Sequence, residues 1–170
     1  MNPMQLPRIE KITLNIGAGK DQTKLEKGIS VIQSITGLQP IKTITQKRIP
    51  SWGLRPGLPI GCKLTLRKKQ AHDILQRLLT AREHKLKQTQ FDSYGNLSFG
   101  ISEHIDIPGV TYNPAVGIQG LQVCVTLEKP GYRVMRRKIK QQKIPQKHRV
   151  TKQEAIHFLQ KEFGVQVEAL

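Results

Sequence analysis

Residues 60–67, Ile-Gly-Cys-Lys-Leu-Thr-Leu-Arg, alternate apolar or small side chains with polar ones without a break. Ile60, Cys62, Leu64 and Leu66 fall on one side of an extended chain and Lys63, Thr65 and Arg67 on the other, the period of a strand with one face in a core and one in water. Strands buried on both faces read instead as unbroken apolar runs, so the pattern points to an antiparallel or mixed sheet covered on one side. The same alternation returns at 8–16 (RIEKITLNI), with Ile12, Leu14 and Ile16 inward and Lys11, Thr13 and Asn15 outward. It returns at 41–46 (IKTITQ) and at Leu121, Val123, Val125 and Leu127, and more weakly near 97–101. Helical spacing fills the gaps. Asp21 opens a segment with Leu25, Ile29 and Ile32, stopped by Gly37. Ala71, Ile74, Leu75, Leu78 and Leu79 mark an amphipathic helix with Lys68, Lys69, Arg77 and Arg82 outward. Thr151 and Glu154 form a capping box ahead of Ala155, Leu159 and Phe163. Val165 and Val167 suggest a short strand or ordered tail. The order βαβ, then β, α, β, β, α predicts an α+β fold: a mostly antiparallel sheet, helices packed on one face, and long basic loops. The expected organisation is a single domain, 1–170, large enough to bury a core without disulfide or metal staples.

Charge sets the partner class. Lys and Arg number 28 against 12 Asp and Glu, a net charge of +16, which repels itself unless a polyanion supplies the counter-charge. Nucleic acid comes first, because neutralising phosphates releases counterions; an anionic membrane surface comes second. No apolar run approaches the roughly 18 residues of a spanning helix, and Met1–Arg8 lacks the apolar stretch of a secretory signal. Cys62 and Cys124 sit far apart within apolar alternations and are expected to be buried free thiols in a reducing, cytoplasmic setting.

Sites for catalysis and cofactors fail on spacing. Asn15-Ile-Gly-Ala-Gly-Lys20 is not a P-loop: Leu14 stands where its first glycine belongs, and Asp21 where a Ser or Thr would hold magnesium. It reads as a tight strand-to-helix turn that offers backbone N–H groups and Lys20 to a phosphate. None of the five histidines pairs with a cysteine or carboxylate at metal-ligand spacing, so no metal or cofactor is expected. Glu103, His104 and Asp106 form the one cluster resembling acid/base chemistry, and a hydrogen-bonded turn is the commoner reading of it.

The densest signal is 129–153, where ten of 25 residues are Lys or Arg and none is acidic. Arg133, Arg136, Arg137, Lys138, Lys140, Lys143, Lys147 and Arg149 are the candidate phosphate contacts, on a segment whose prolines, glycines and glutamines suit ordering against a partner. The second signal is the loop 47–59 (KRIPSWGLRPGLP), where Lys47, Arg48 and Arg55 flank Trp52, which either stacks on RNA or pins the loop. With eight aromatics in the chain, shape recognition through phosphates and 2′-hydroxyls is favoured over stacking platforms. The rival readings are a free-standing RNA chaperone and an RNA-processing enzyme built on His104.

Taken in order, RIEKITLNIGAG (8–19), ITGLQPIKTITQKR (35–48), WGLRPGLPIGCKLTLR (52–67), FDSYGNLSFGISEHIDIPG (91–109), EKPGYRVMRR (128–137) and KHRVTKQEA (147–155) resemble the universal large-subunit ribosomal protein family L-five, called L-eleven in eukaryotic ribosomes. EHIDIPG and KHRVTKQEA are similar to the archaeal and eukaryotic branch, and the absence of a short extension after the last helix favours the archaeal form. The resemblance implies a non-enzymatic protein of the central protuberance that binds 5S rRNA, helps attach it to large-subunit rRNA, and reaches a small-subunit protein across an intersubunit bridge. By position it implies a 5S rRNA surface at Lys11, Thr13, Asn15, Lys42, Thr43, Lys63, Thr65 and Arg67. It implies a loop near the elbow of P-site tRNA at Lys47, Arg48, Trp52 and Arg55, and a bridge surface at Pro108–Gly120.

Overall fold

The computed structural model describes residues 2–168; Met1, Ala169 and Leu170, at the ends of the expected 1–170 domain, lie outside the described residues. The alternating stretches form strands β1 (Arg8–Gly17), β2 (Ile41–Ile44), β3 (Pro59–Leu66), β5 (Leu97–Ile101) and β6 (Leu121–Glu128). A short β4 (Lys85–Lys87) and a terminal β7 (Gln166–Glu168) add to them. The helices are α1 (Gln22–Thr36), α2 (Lys68–Thr80), α3 (Arg133–Arg136) and α4 (Lys152–Phe163). The fold is α+β, with a mostly antiparallel five-stranded sheet in the order β2-β3-β1-β6-β5. β4 and β7 pair separately and in parallel, Leu86 opposite Val167.

The chain divides into two compact units. The first gathers the chain up to Ile12, Arg67–Phe99, and the chain from Cys124 on. Its core takes the apolar stripe of α2 (Ala71, Leu75, Leu78 and Leu79, all fully buried) with Ala155 and Leu159 of α4. The His72 and Phe163 rings lie 4.7 Å apart, tying these two helices together. Thr151 and Glu154 make the reciprocal capping box that the sequence predicts, and Gly164 closes α4 in the left-handed region.

The second unit comprises Thr13–Leu66 and Gly100–Val123. Asp21 caps α1 by accepting from the Thr23 and Lys24 amides. The bond from the Thr23 hydroxyl and then that from the Lys24 amide hold the Asp21 carboxyl below its ordinary pKa. Gly28 lets α1 approach β1 and β3: a methyl there would stand 3.1 Å from Ile16 Cγ2 and 3.4 Å from Cys62 Sγ. At Gly61 a methyl would stand 2.7 Å from the Ile16 carbonyl oxygen, so glycine is what lets these backbones pass.

Two expectations are corrected. Cys62 is buried, and desolvation raises its thiol pKa, but Cys124 is exposed, because it shares the parity of Gln122 rather than of Val123 and Val125. Segment 129–153 is also less irregular than its composition suggests. It contains α3, a turn of 3-10 helix at Gln146–His148, and two buried anchors, Ile144 and Val150.

Candidate nucleic-acid interface

The outward positions of the sheet build the first part of the surface. Lys11, Thr13 and Asn15 of β1 are half-buried, and Lys63 and Thr65 of β3 are exposed. Asn15 Nδ2 donates to Gln122 Oε1 at 3.2 Å, which fixes both amides on the strand surface. Beside them a shallow pocket of about 430 Å3 is walled by Gly17, Gly100, Ser102 and Gly120. Asn15 and Gln122 bring side-chain amides to its wall.

Register separates two residues that the sequence grouped. Ile41 lies opposite Lys63, and Thr43 opposite Gly61, so both join the face of Lys63. Lys42 lies opposite Cys62 and therefore belongs to the other side of the sheet. Arg67 is placed elsewhere again. It stands at the cap position of α2, and its Nη1 donates to Glu10 Oε1 at 3.1 Å.

The loop 47–59 is closed by its own backbone bonds: Leu54 N–H to Ile49 O, Gly57 N–H to Thr45 O, and Thr45 N–H to Leu58 O, each 3.0 Å. Leu54, buried, pins it, and Trp52 does not: the indole is 68% exposed. Lys47, Arg48 and Arg55 are exposed and have no acidic partner among the described residues. The Gly17–Lys20 turn is differently used than expected. The Ala18 and Gly19 amides both donate to Ile60 O, and Asp21 occupies the helix N-terminus, so neither is open to a phosphate.

The basic segment splits into internal and outward cations. Lys129 is 4% exposed; its Nζ donates to Glu154 Oε1 at 2.7 Å and to Arg149 O at 3.3 Å. Burial pushes the Glu154 carboxyl up, but the bonds from Lys129 and from the Thr151 amide hold its pKa below the ordinary value. Arg136 Nη2 reaches Glu128 Oε2 at 2.6 Å and Glu10 Oε2 at 3.0 Å, and Arg8 pairs with Glu128 Oε1 at 2.8 Å. Arg8, Arg67 and Arg136 thus share two carboxylates whose side chains are only 10% and 6% exposed. Arg137 Nε turns back to Lys140 O at 2.6 Å. Arg133, Lys138, Lys140, Lys143 and Lys147 are exposed, and Arg149 lies 5.4 Å over the Tyr94 ring.

The carboxylate cluster was not foreseen, though it had a signal. Arg8 and Glu10 continue the parity of Ile12, Leu14 and Ile16, where a purely apolar strand would carry two more hydrophobes. The His104 cluster takes its ordinary reading. His104 is 2% exposed, its Nδ1 accepts the Gln119 amide at 3.3 Å, and Glu103 and Asp106 are exposed. Among the described residues no group of His, Cys, Asp and Glu is placed to hold a metal, and no helix is long and apolar enough to cross a membrane.

Two family models match this chain: Ribosomal protein L5 over residues 2–55, and the C-terminus of the same ribosomal family over 59–158. Relatives named large ribosomal subunit protein uL5 match almost end to end. That of Sulfurisphaera tokodaii is 46% identical over 168 residues, covering 98% of this chain and 95% of the relative. That of Methanococcus vannielii is 47% identical, covering 97% and 93%, and that of Methanobrevibacter smithii 46%, covering 97% of each. An α+β scaffold with this basic surface and these relatives defines a ribosomal protein rather than an enzyme. The chain belongs to the ribosomal protein L5 family and is of the archaeal type.

Proposed function

We propose that the chain is a structural component of the large ribosomal subunit in the cytoplasm, and that it binds 5S rRNA and helps fix it in the central protuberance. The strand face carrying Lys11, Thr13, Asn15, Thr43, Lys63 and Thr65 takes the 5S rRNA; Lys42, on the other side of β2, and Arg67, at the cap of α2, are assigned to the same RNA by their position in the family pattern. The basic segment 129–150, through its outward cations, holds large-subunit rRNA. The loop bearing Lys47, Arg48, Trp52 and Arg55 approaches P-site tRNA, and Pro108–Gly120 meets a small-subunit protein. The observation that carries this reading is a family member whose exposed cations at Lys47, Arg48, Arg55 and Lys63 have no acidic partner among the described residues. Point charges of this kind position a folded polyanion and add little sequence preference.

A filter-binding titration of purified 5S rRNA against salt tests it. The logarithm of the binding constant falls with log salt by about 0.9 for each duplex phosphate neutralised. Lys63→Ala weakens 5S rRNA binding and reduces that slope by about one. Arg55→Ala leaves 5S rRNA binding intact and weakens the tRNA contact. A slope near zero for the unaltered protein overturns the electrostatic account, and equal losses from both variants overturn the division of surfaces.

A further inference from the structure

In the first unit a pocket of about 320 Å3 opens beside the turn at residues 92–96 and the short helix α3. Leu127 and Ile144, both buried, give it an apolar lining, while Tyr94, Tyr132, Asn96 and Arg149 bring aromatic rings, an amide and a guanidinium. Both sides are held without a ligand. On one side Asp92 Oδ1 accepts the amides of Tyr94 at 2.8 Å and Asn96 at 2.7 Å, while Oδ2 accepts Asn96 Nδ2 at 2.8 Å. Gly95, at φ +72°, locks this turn onto Val150, whose Cγ1 would be 2.6 Å from an added methyl. On the other side α3 is clamped through Arg136 to Glu10 and Glu128. Pre-organisation of this kind lowers the ordering cost of binding.

Glu10 and Arg136 also line the pocket and are paired with each other, while the groups on the side of the 92–96 turn are unclaimed. The Tyr94 and Tyr132 hydroxyls and Asn96 Oδ1 make no hydrogen bond among the described residues. The Arg149 guanidinium has no acidic partner there and rests over the Tyr94 ring.

We propose that this pocket receives one unstacked RNA base, with the phosphate of that nucleotide on Arg149. The inference rests on the rRNA-binding reading and sharpens it. A base has two flat apolar faces for the tyrosines, a polar edge for Asn96 Oδ1 and the hydroxyls, and an attached anion for the free guanidinium. An aromatic side chain of a partner protein matches the apolar part and leaves Arg149 unanswered. The volume lies at the small end of ligand pockets, about 300–1,000 Å3, which suits one nucleotide and excludes a helix.

The test uses the full chain with purified 5S rRNA and, separately, with protein-free large-subunit rRNA. Tyr94→Ala and Tyr132→Ala should each bind one of these RNAs about fivefold to a hundredfold more weakly, the loss expected for one base–aromatic stack. The salt slope stays at the wild-type value, since no phosphate contact has been removed. Tyr94→Phe keeps the ring and recovers most of the lost affinity, short of the hydrogen bond that its hydroxyl makes to the base edge. Ultraviolet crosslinking of the wild-type complex, followed by nuclease and protease digestion, places a nucleotide adduct on a peptide containing Tyr94 or Tyr132. Wild-type affinity of both alanine variants for both RNAs, with circular dichroism unchanged and no adduct, overturns the base pocket and leaves the general rRNA reading standing. Intact RNA affinity with loss of the variants from washed subunits also overturns it, in favour of a protein side chain. A wild-type protein that binds neither RNA in a salt-dependent way overturns the underlying function instead.

Discussion

Glu128→Gln is the substitution whose cost the structure makes most calculable. The Glu128 side chain is 6% exposed. Its Oε1 accepts Arg8 Nε at 3.1 Å and Nη2 at 2.8 Å, and its Oε2 accepts Arg136 Nη2 at 2.6 Å. Hydrogen bonds to charged groups contribute about 1.5–3 kcal/mol each, and stripping one partner from a fully buried pair costs about 3–5 kcal/mol. Here the arginine side chains are 60% and 42% exposed, so both turn to water once released, and the larger figure does not apply. Glutamine also keeps the shape and one accepting oxygen. The expected loss is therefore about 1.5–3 kcal/mol, measured as a shift in the urea midpoint with unchanged m-value. In the melting temperature it amounts to about 2–4 °C per kcal/mol for a chain of this size. A loss below about 0.5 kcal/mol would mean that these pairs behave as ordinary screened surface salt bridges, and the clamp argument fails. RNA gives an independent arm with a distinctive sign. The substitution raises the net charge above +16, so simple Coulomb attraction predicts tighter binding to every RNA. A carboxylate that anchors α3 through Arg136, and with it the outward cations of the basic segment, predicts weaker binding to rRNA alongside tighter binding to unstructured RNA. Uniform tightening refutes the positioning role.

Glycine replacements separate strain from crowding: Gly95→Ala meets both φ +72° and a 2.6 Å contact with Val150, whereas Gly117→Ala meets φ +73° in open space. Urea unfolding should show about 1 kcal/mol lost at Gly117 and at least twice that at Gly95; equal losses would show that Val150 yields freely. Gly61→Ala, forced to within 2.7 Å of the Ile16 carbonyl oxygen, should be the most damaging of the three, and a soluble variant of wild-type stability would contradict the close approach of β1 and β3. For pH, the folded Glu154 carboxyl titrates below its ordinary 4.5, so its stabilising contribution is complete above that value and is lost as the pH falls through the lower folded value. Glu154→Gln should therefore lower stability at about pH 7 and flatten the acid limb of the stability curve, and an acid limb as steep as that of the wild type would count against the Lys129 and Thr151 contacts.

The strands were readable because the sheet keeps a dry face and a wet one, so that β1, β3 and β6 carry period-2 alternation over 11–17, 62–66 and 121–127. The capping box of α4 and the glycine stop of α1 were readable because they depend on neighbours in sequence. What escaped depends on partners far along the chain. β4 is three residues long, too short to alternate, and exists because β7 lies beside it. The side taken by Lys42 follows from its register against Cys62, while the apolar residues around it mislead: Ile41 is 68% and Ile44 61% exposed. The charge surplus was plain, but which cations are paired within the fold was not. Lys129 and Arg136 look like their neighbours until Glu154, Glu10 and Glu128 are brought to them.

The parallel pairing of β4 with β7 bears on how the chain is made. The second unit needs nothing beyond Val123, so all of its segments exist once that residue has been synthesised. The first unit draws on the start of the chain and on α4, and β4 stays without its neighbour until Gln166–Glu168 has been added. At about 5–20 residues per second, several seconds of translation separate the two conditions. During that interval Lys85–Lys87 is an unpaired edge, and its two lysines around Leu86 discourage association with other nascent strands.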